Sequence, residues 1–204
     1  MKKKVGIMGG TFDPVHHGHL VTAEFVREEF MLDKILFIPV GQPHHKINKN
    51  VTGAKDRLNM LHAAVRGNAF FEVCTIEIDR EGYTYTVDTL EQLKATLKDT
   101  DIYFIVGADV INELTLWKNY EAVFKMCEFI AVMRPGTSKN DYINEILRLS
   151  REYNAKIHMV DAPLLDISST TIRKRVHDGK SIKYLVPSGV EETIKNEGLY
   201  MAGY

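Results

Sequence analysis

The sequence predicts an α/β fold: a parallel sheet with helices on both faces. Three observations predict it. Short apolar runs of strand length alternate with segments of helical period along the chain. The spacing between successive runs leaves room for the crossover helix that parallel neighbours require. The 204 residues, 45% hydrophobic and 26% charged, supply enough apolar surface for one such domain without disulfide or metal staples. Right-handed crossovers then make the arrangement doubly wound and Rossmann-like.

Each element has its own signal. Residues 5–8 form an apolar run that meets Gly9 and Gly10 at once, a strand entering a tight turn. Residues 19–30 place Leu20, Ala23, Val26 and Phe30 on one helical face. Residues 35–40 (ILFIPV) are the next strand, and Leu58, Leu61 and Val65 share one side of a helix over 56–65. Residues 71–78 read as a strand, and Val87, Leu90, Leu93 and Leu97 line a helix over 87–97. Strands follow over 101–106, ending at Gly107, and over 129–133, ending at Arg134, Pro135 and Gly136. A helix over 142–153, a strand over 156–160 and helices over 169–177 and 189–197 complete the chain. Residues 1–204 are read as a single domain with a small helical segment from about residue 166.

Composition excludes several classes. A formal net charge of -1 offers no global attraction to nucleic acid or to an anionic membrane, so an anionic substrate needs a local basic pocket. No run approaches the ~18 apolar residues that span a bilayer. The opening MKKKVGIMGGTF lacks the apolar core and cleavage site of a signal peptide, which makes the cytoplasm the expected location. Cys74 and Cys127 lie in apolar, strand-like runs and read as buried free thiols.

In a doubly wound sheet, ligands bind beyond the carboxyl ends of the strands. The strongest chemical signal sits at such a place: GGTFDPVHHGHL, residues 9–20, between the first strand and the first helix. Gly9 and Gly10 allow close backbone approach. The helix start offers unpaired N–H groups and a positive dipole end, which suit phosphate. His16 and His19, three apart, can aim both imidazoles at one anion, with Gly18 leaving room for a nucleotide. Metal binding by His16, His17 and His19 is the rival reading, and it lacks a carboxylate or thiolate partner. A second signal is DISSTTIR, residues 166–173. Serines and threonines at a helix start cap it and donate, and Arg173 one turn on can fork onto phosphate oxygens.

Together these strings resemble the two signatures of the nucleotidylyltransferase superfamily, His-x-Gly-His and Ile-Ser-Ser-Thr-x-x-Arg. Further blocks narrow the resemblance to nicotinate mononucleotide adenylyltransferases. Pro43, His44, His45 and Lys46 are similar to that family's Pro-Pro-His-Lys, with His44 replacing a proline. Residues 82–89 (GYTYTVDT) resemble its Tyr-Thr-x-Asp-Thr block. Ile105 to Asp109, Leu116-Trp117-Lys118, Val132 to Gly136 and the final Glu197-Gly198-Leu199-Tyr200 complete the likeness, which covers nearly the whole chain in order.

The resemblance implies adenylyl transfer from ATP to nicotinate mononucleotide. Gly9, Gly10, Thr11 and Phe12 would cradle phosphates, and His16 and His19 would stabilise charge built in the transition state. Lys46 would neutralise the triphosphate, with His45 assisting, while Ser169 and Arg173 would hold the leaving β- and γ-phosphates. Gly107 and Asp109 would serve the adenosine ribose and Arg134 the adenine. Trp117 would stack on the pyridine ring, and Thr86 and Lys118 would favour its carboxylate. Mg²⁺ would bridge phosphates with substrate and water as its ligands. Asp13, in a Phe-Asp-Pro turn, reads as a loop cap rather than a metal ligand. The expected partners are ATP and nicotinate mononucleotide, with neither nucleic acid nor membrane, and the sequence is compatible with a homodimer. Nicotinamide mononucleotide or phosphopantetheine as acceptor, a non-enzymatic nucleotide sensor and a tRNA synthetase fragment are the rival readings.

Overall fold

The computed structural model describes residues 2–41, 51–133, 140–163 and 165–201. Among the described residues, six strands form one sheet: β1 (Lys3–Gly10), β2 (Lys34–Pro39), β3 (Phe71–Val73), β4 (Thr100–Gly107), β5 (Glu128–Val132) and β6 (Ile157–Val160). Their order is β3-β2-β1-β4-β5-β6. β1 pairs with β4, β4 with β5 and β5 with β6, all in parallel. The strand order reverses between β1 and β4, the switch point at which doubly wound sheets bind ligands. Both of these strands end in glycine, Gly10 and Gly107. The expected Rossmann-like architecture is the observed one.

The helices are α1 (His17–Glu29), α2 (Ala54–Val65), α3 (Thr86–Thr96), α4 (Tyr120–Met126), α5 (Asn140–Tyr153), α6 (Ser169–His177) and α7 (Ser188–Asn196). A 3₁₀ segment, Ala108–Leu116, follows β4. The central strands are apolar on both faces: Ile35, Leu36, Phe37 and Ile38 are buried along β2, and Phe129 to Val132 along β5. Burial on both faces is why these strands read as continuous apolar runs rather than alternating ones.

The described residues divide into two compact units. One comprises those within Met1–Met8, Thr22–Leu36 and Thr84–Leu164. The other comprises those within Gly9–Val21, Phe37–Tyr83 and Leu165–Tyr204. In the first, α3 packs on α4, and the 3₁₀ segment packs on α4 and α5. In the second, α2 packs on α7, so closely that a Cβ on Gly189 would lie 3.1 Å from the Ala63 Cβ.

One expected strand ends early, two further elements appear, and Cys127 lies outside a strand. The strand over 71–78 stops at Val73. Cys74 donates one last backbone bond to the Phe37 carbonyl, and then Asp79 N–H closes a turn onto the Thr75 carbonyl while the Thr75 hydroxyl bonds the Asp79 carboxylate. A turn built from side-chain bonds competes with the ladder, and apolar count alone does not reveal it. The two further elements are the 3₁₀ segment and α4, neither of which sequence periodicity had marked. Both are short, and Asn119, in the left-handed region at φ 50°, breaks the helical pattern between them. Cys127 caps the end of α4 rather than lying in a strand, and burial pushes its thiol up to about 12. That thiol is inert at neutral pH.

Candidate active site

The loop after β1 carries the first cluster. Phe12 adopts φ 49°, a left-handed conformation that costs a non-glycine residue energy, and its ring is buried against His19 and Phe37. His16 and His19 stack with centroids 3.7 Å apart. The His16 backbone N–H donates to Nδ1 of His19 at 3.2 Å. A neutral imidazole that accepts at Nδ1 carries its proton on Nε2, so His19 presents an Nε2–H donor.

Burial sets the charge of both rings. Desolvation first, then the neighbouring His17, lowers His16 to about 4. Desolvation first, then His16, lowers His19 to about 3. Both are therefore neutral donors at pH 7. Among the described residues, His16 Nδ1 is buried with no hydrogen-bond partner. An unsatisfied buried nitrogen is costly, and a bound anion or its water is the kind of group that would relieve it. A Cβ on Gly18 would lie 2.9 Å from that nitrogen, so only glycine leaves the ring where it is.

The late helix meets this loop directly. Ser168 caps α6, its side chain accepting from Thr171 N–H at 3.1 Å. The next residue, Ser169, donates through Oγ to the Pro14 carbonyl at 2.9 Å. Arg173, one turn further on, donates to the Asp13 carbonyl at 2.6 Å. Residues 155 and 160 positions apart in the chain thus share one cluster. The spacing of Ser169 and Arg173 on one helical face makes the double contact geometrically natural. Arg173 also donates to the Thr170 hydroxyl at 3.4 Å, so its guanidinium serves both the loop and its own helix.

Two residues here escaped sequence reasoning. Arg57, 2% exposed, donates to the carbonyls of Thr52 at 3.0 Å, Thr11 at 2.9 Å and Gly41 at 3.3 Å. Its position inside an amphipathic helix gave it the look of an ordinary solvated arginine. Tyr200 donates to Asp13 Oδ1 at 2.7 Å, and Asp13 Oδ2 accepts from Thr52 N–H at 3.3 Å. With both oxygens engaged and 4% exposure, Asp13 is a structural hub, as its turn context suggested.

The second cluster lies in the other unit. Trp117 is half-buried and held edge-on by Phe104 at 5.8 Å and Phe129 at 6.0 Å. Lys118 stands 3.7 Å from Asp88 and 4.2 Å over the Tyr85 ring. Thr86 opens α3, whose N-cap residue, Tyr85, makes no side-chain cap bond. Gly107 caps the 3₁₀ segment, and Asp109 is exposed in its first turn. His45, Lys46 and Arg134 lie outside the described residues. Among the described residues, no group of three or more His, Cys, Asp or Glu could hold a metal ion. No described helix is long and apolar enough to cross a membrane.

Comparison with known proteins decides what these clusters belong to. The cytidylyltransferase-like family matches residues 7–175. A "Probable nicotinate-nucleotide adenylyltransferase" of Thermoanaerobacter sp. (strain X514) is 50% identical over 97% of this chain and 94% of its own length. This chain belongs to the nicotinate-nucleotide adenylyltransferase family. A second member, from Desulfitobacterium hafniense (strain DSM 10664 / DCB-2), is 46% identical over 97% of this chain and 96% of its own. The fold is shared with Plasmodium falciparum nicotinic acid mononucleotide adenylyltransferase complexed with APC. That structure aligns at a TM-score of 0.77 and 20% identity, covering 97% of each chain. The two signature strings of this family member, residues 9–20 and 166–173, are the segments that the Arg173 and Ser169 bonds join.

Proposed function

We propose that the chain transfers the adenylyl group of ATP to nicotinate mononucleotide, giving deamido-NAD and pyrophosphate in NAD biosynthesis. The observation that carries adenylyl transfer is the tie between the two signature segments, which gathers His16, His19, Ser169 and Arg173 around one loop. The family supplies the acceptor, since relatives matched over nearly their whole length bear that activity in their names.

In this reading an oxygen of the acceptor's phosphate attacks the α-phosphorus of ATP. The new P–O bond forms as the bond to the β-phosphate bridge breaks, and pyrophosphate leaves with that electron pair. A phosphate monoester has its second pKa at about 6, so it is already a nucleophile at neutral pH. No protein base is needed, and catalysis reduces to positioning and charge stabilisation. Neutral His16 and His19 donate to phosphate oxygens, His19 through Nε2–H. Gly9, Gly10, Thr11 and Phe12 offer backbone N–H groups, and Ser169 and Arg173 hold the departing pyrophosphate. Lys46 and His45 are assigned to the triphosphate and Arg134 to the adenine from their motifs alone. Gly107 and Asp109 are assigned to the ribose.

For the acceptor, the Trp117 indole stacks on the pyridine ring, and Thr86 at the N-terminus of α3 receives the carboxylate. Lys118, half-exposed and engaged by Asp88 and Tyr85, adds only a screened field. Mg²⁺ is the proposed ion. Asp13 is buried and its two oxygens each accept a hydrogen bond from the fold, and the donor set fits the phosphates rather than a cation. The ion would thus be held by phosphate oxygens and water, and would neutralise triphosphate charge.

The test is a panel: ATP and Mg²⁺ with nicotinate mononucleotide, nicotinamide mononucleotide or phosphopantetheine, scored for pyrophosphate. The highest kcat/KM belongs to nicotinate mononucleotide. Preference for another acceptor overturns the substrate assignment, and no pyrophosphate with any of them overturns the enzyme.

A further inference from the structure

The closing motif, Glu197-Gly198-Leu199-Tyr200, has no part in the chemistry described above, yet its last residue reaches the phosphate loop. The path is built locally. Gly198 takes φ 60° after α7. Leu199 N–H bonds the Ile194 carbonyl at 2.9 Å and Gly198 N–H bonds the Lys195 carbonyl at 3.3 Å. This is the two-bond helix stop that needs a left-handed residue, which glycine adopts without strain. It turns the chain so that the Tyr200 hydroxyl meets Asp13 Oδ1 at 2.7 Å.

The loop needs such a contact. Phe12 is left-handed and must be held there by its surroundings. Arg57 takes the Thr11 carbonyl, and because a trans peptide sets C=O and N–H in opposite directions, the Phe12 N–H points away from Arg57. Ser169 does the same to the Pro14 carbonyl and so to the Val15 N–H. Asp13 stands between these two peptides in the chain, and Tyr200 and Thr52 hold its two side-chain oxygens. Burial and the Asp13 charge push the Tyr200 phenol well above its ordinary range, so it stays a donor at every working pH.

We propose that Tyr200 is a positioning residue for adenylyl transfer: acting through Asp13, it locks the loop in the conformation that aims its N–H groups at the triphosphate. Arg57 completes the brace at Thr11. The proposal rests on the adenylyl-transfer reading given above.

The experiment compares the full chain with Tyr200→Phe, which removes one oxygen atom, and with Asp13→Asn and the double variant. Expected for Tyr200→Phe is a roughly tenfold fall in kcat/KM for ATP, with KM for nicotinate mononucleotide within about twofold of the parent. The double variant is expected to be no worse than the poorer single variant, since both act through one contact. An unchanged kcat/KM for ATP, an equal rise in the KM of both substrates, or additive losses overturns the proposal. The rise in Tm on adding ATP gives a readout independent of turnover, and it is expected to shrink in Tyr200→Phe. If the parent releases no pyrophosphate, the functional reading has failed, and the ATP-dependent Tm shift still decides whether Tyr200 braces the loop.

Discussion

Replacing Gly18 by alanine sets helix propensity against the geometry of the histidine pair. Gly18 is the second residue of α1, where alanine is favoured by up to ~1 kcal/mol. Its added Cβ would sit 2.9 Å from His16 Nδ1 and 3.1 Å from Cε1. Non-bonded atoms of this kind rest at about 3.5 Å, so the ring must move by roughly 0.5 Å. The His19 ring, stacked 3.7 Å away, limits where it can go. Forcing a side chain off its rotamer costs about 1 kcal/mol, which offsets the propensity gain. Stability should therefore change by no more than ~1 kcal/mol, a Tm shift of about 2–4 °C at this size. Activity is more exposed: a 1 Å misplacement costs on the order of a hundredfold in rate, so half of it predicts about a tenfold fall in kcat. Pyrophosphate release and a thermal melt on the same preparation measure both. A kcat within twofold of the parent at normal Tm would refute the claim that His16 placement limits the rate. A collapse in Tm beyond about 10 °C would place the clash in the fold rather than the site.

Trp117→Ala should raise the KM for nicotinate mononucleotide about tenfold, as loss of a stacking face worth ~1–1.5 kcal/mol implies, and leave the KM for ATP unchanged. Equal effects on both substrates would refute the stacking assignment. Acid should destabilise the fold through the histidine pair. His16 at about 4 and His19 at about 3 lie below the ordinary 6.5, so the unfolded chain binds more protons than the folded one. Stability is complete above pH 6.5 and is lost as pH falls toward 4. Near pH 5 each ring, neutral in the folded chain and protonated in the unfolded one, contributes a slope of up to about 1.4 kcal/mol per unit. Denaturant melts at pH 7, 6 and 5 should show that slope, and the double His16→Asn, His19→Asn variant should flatten it. An unchanged slope in the variant would refute the neutral-histidine account.

The fold was legible because buried parallel strands write themselves as apolar runs: residues 35–40 and 129–133 differ from β2 and β5 by one residue at each end. The boundaries of α6 were read correctly from Ser168 and Ser169, whose hydroxyls have a fixed use at a helix start. Residues 74–78 misled because a strand of apolar and β-branched residues can be ended by a Thr75–Asp79 bond that leaves no mark on periodicity. In the site, the phosphate loop was visible as a contiguous string. Arg57 was not, because an arginine that solvates a helix face and one that braces three carbonyls look alike until burial is known. Tyr200 could have been suspected: a glycine after an amphipathic helix announces a turn, and a tyrosine two residues on has somewhere to go.

The central claim is that the loop after β1 stabilises the charge passing to the leaving pyrophosphate, and single-turnover pyrophosphate release by His19→Ala tests it most directly. With ATP, Mg²⁺ and saturating nicotinate mononucleotide, the account predicts a rate lower by roughly two to three powers of ten, the loss expected when a transition-state donor is removed. A variant that releases pyrophosphate at the parental rate would contradict it.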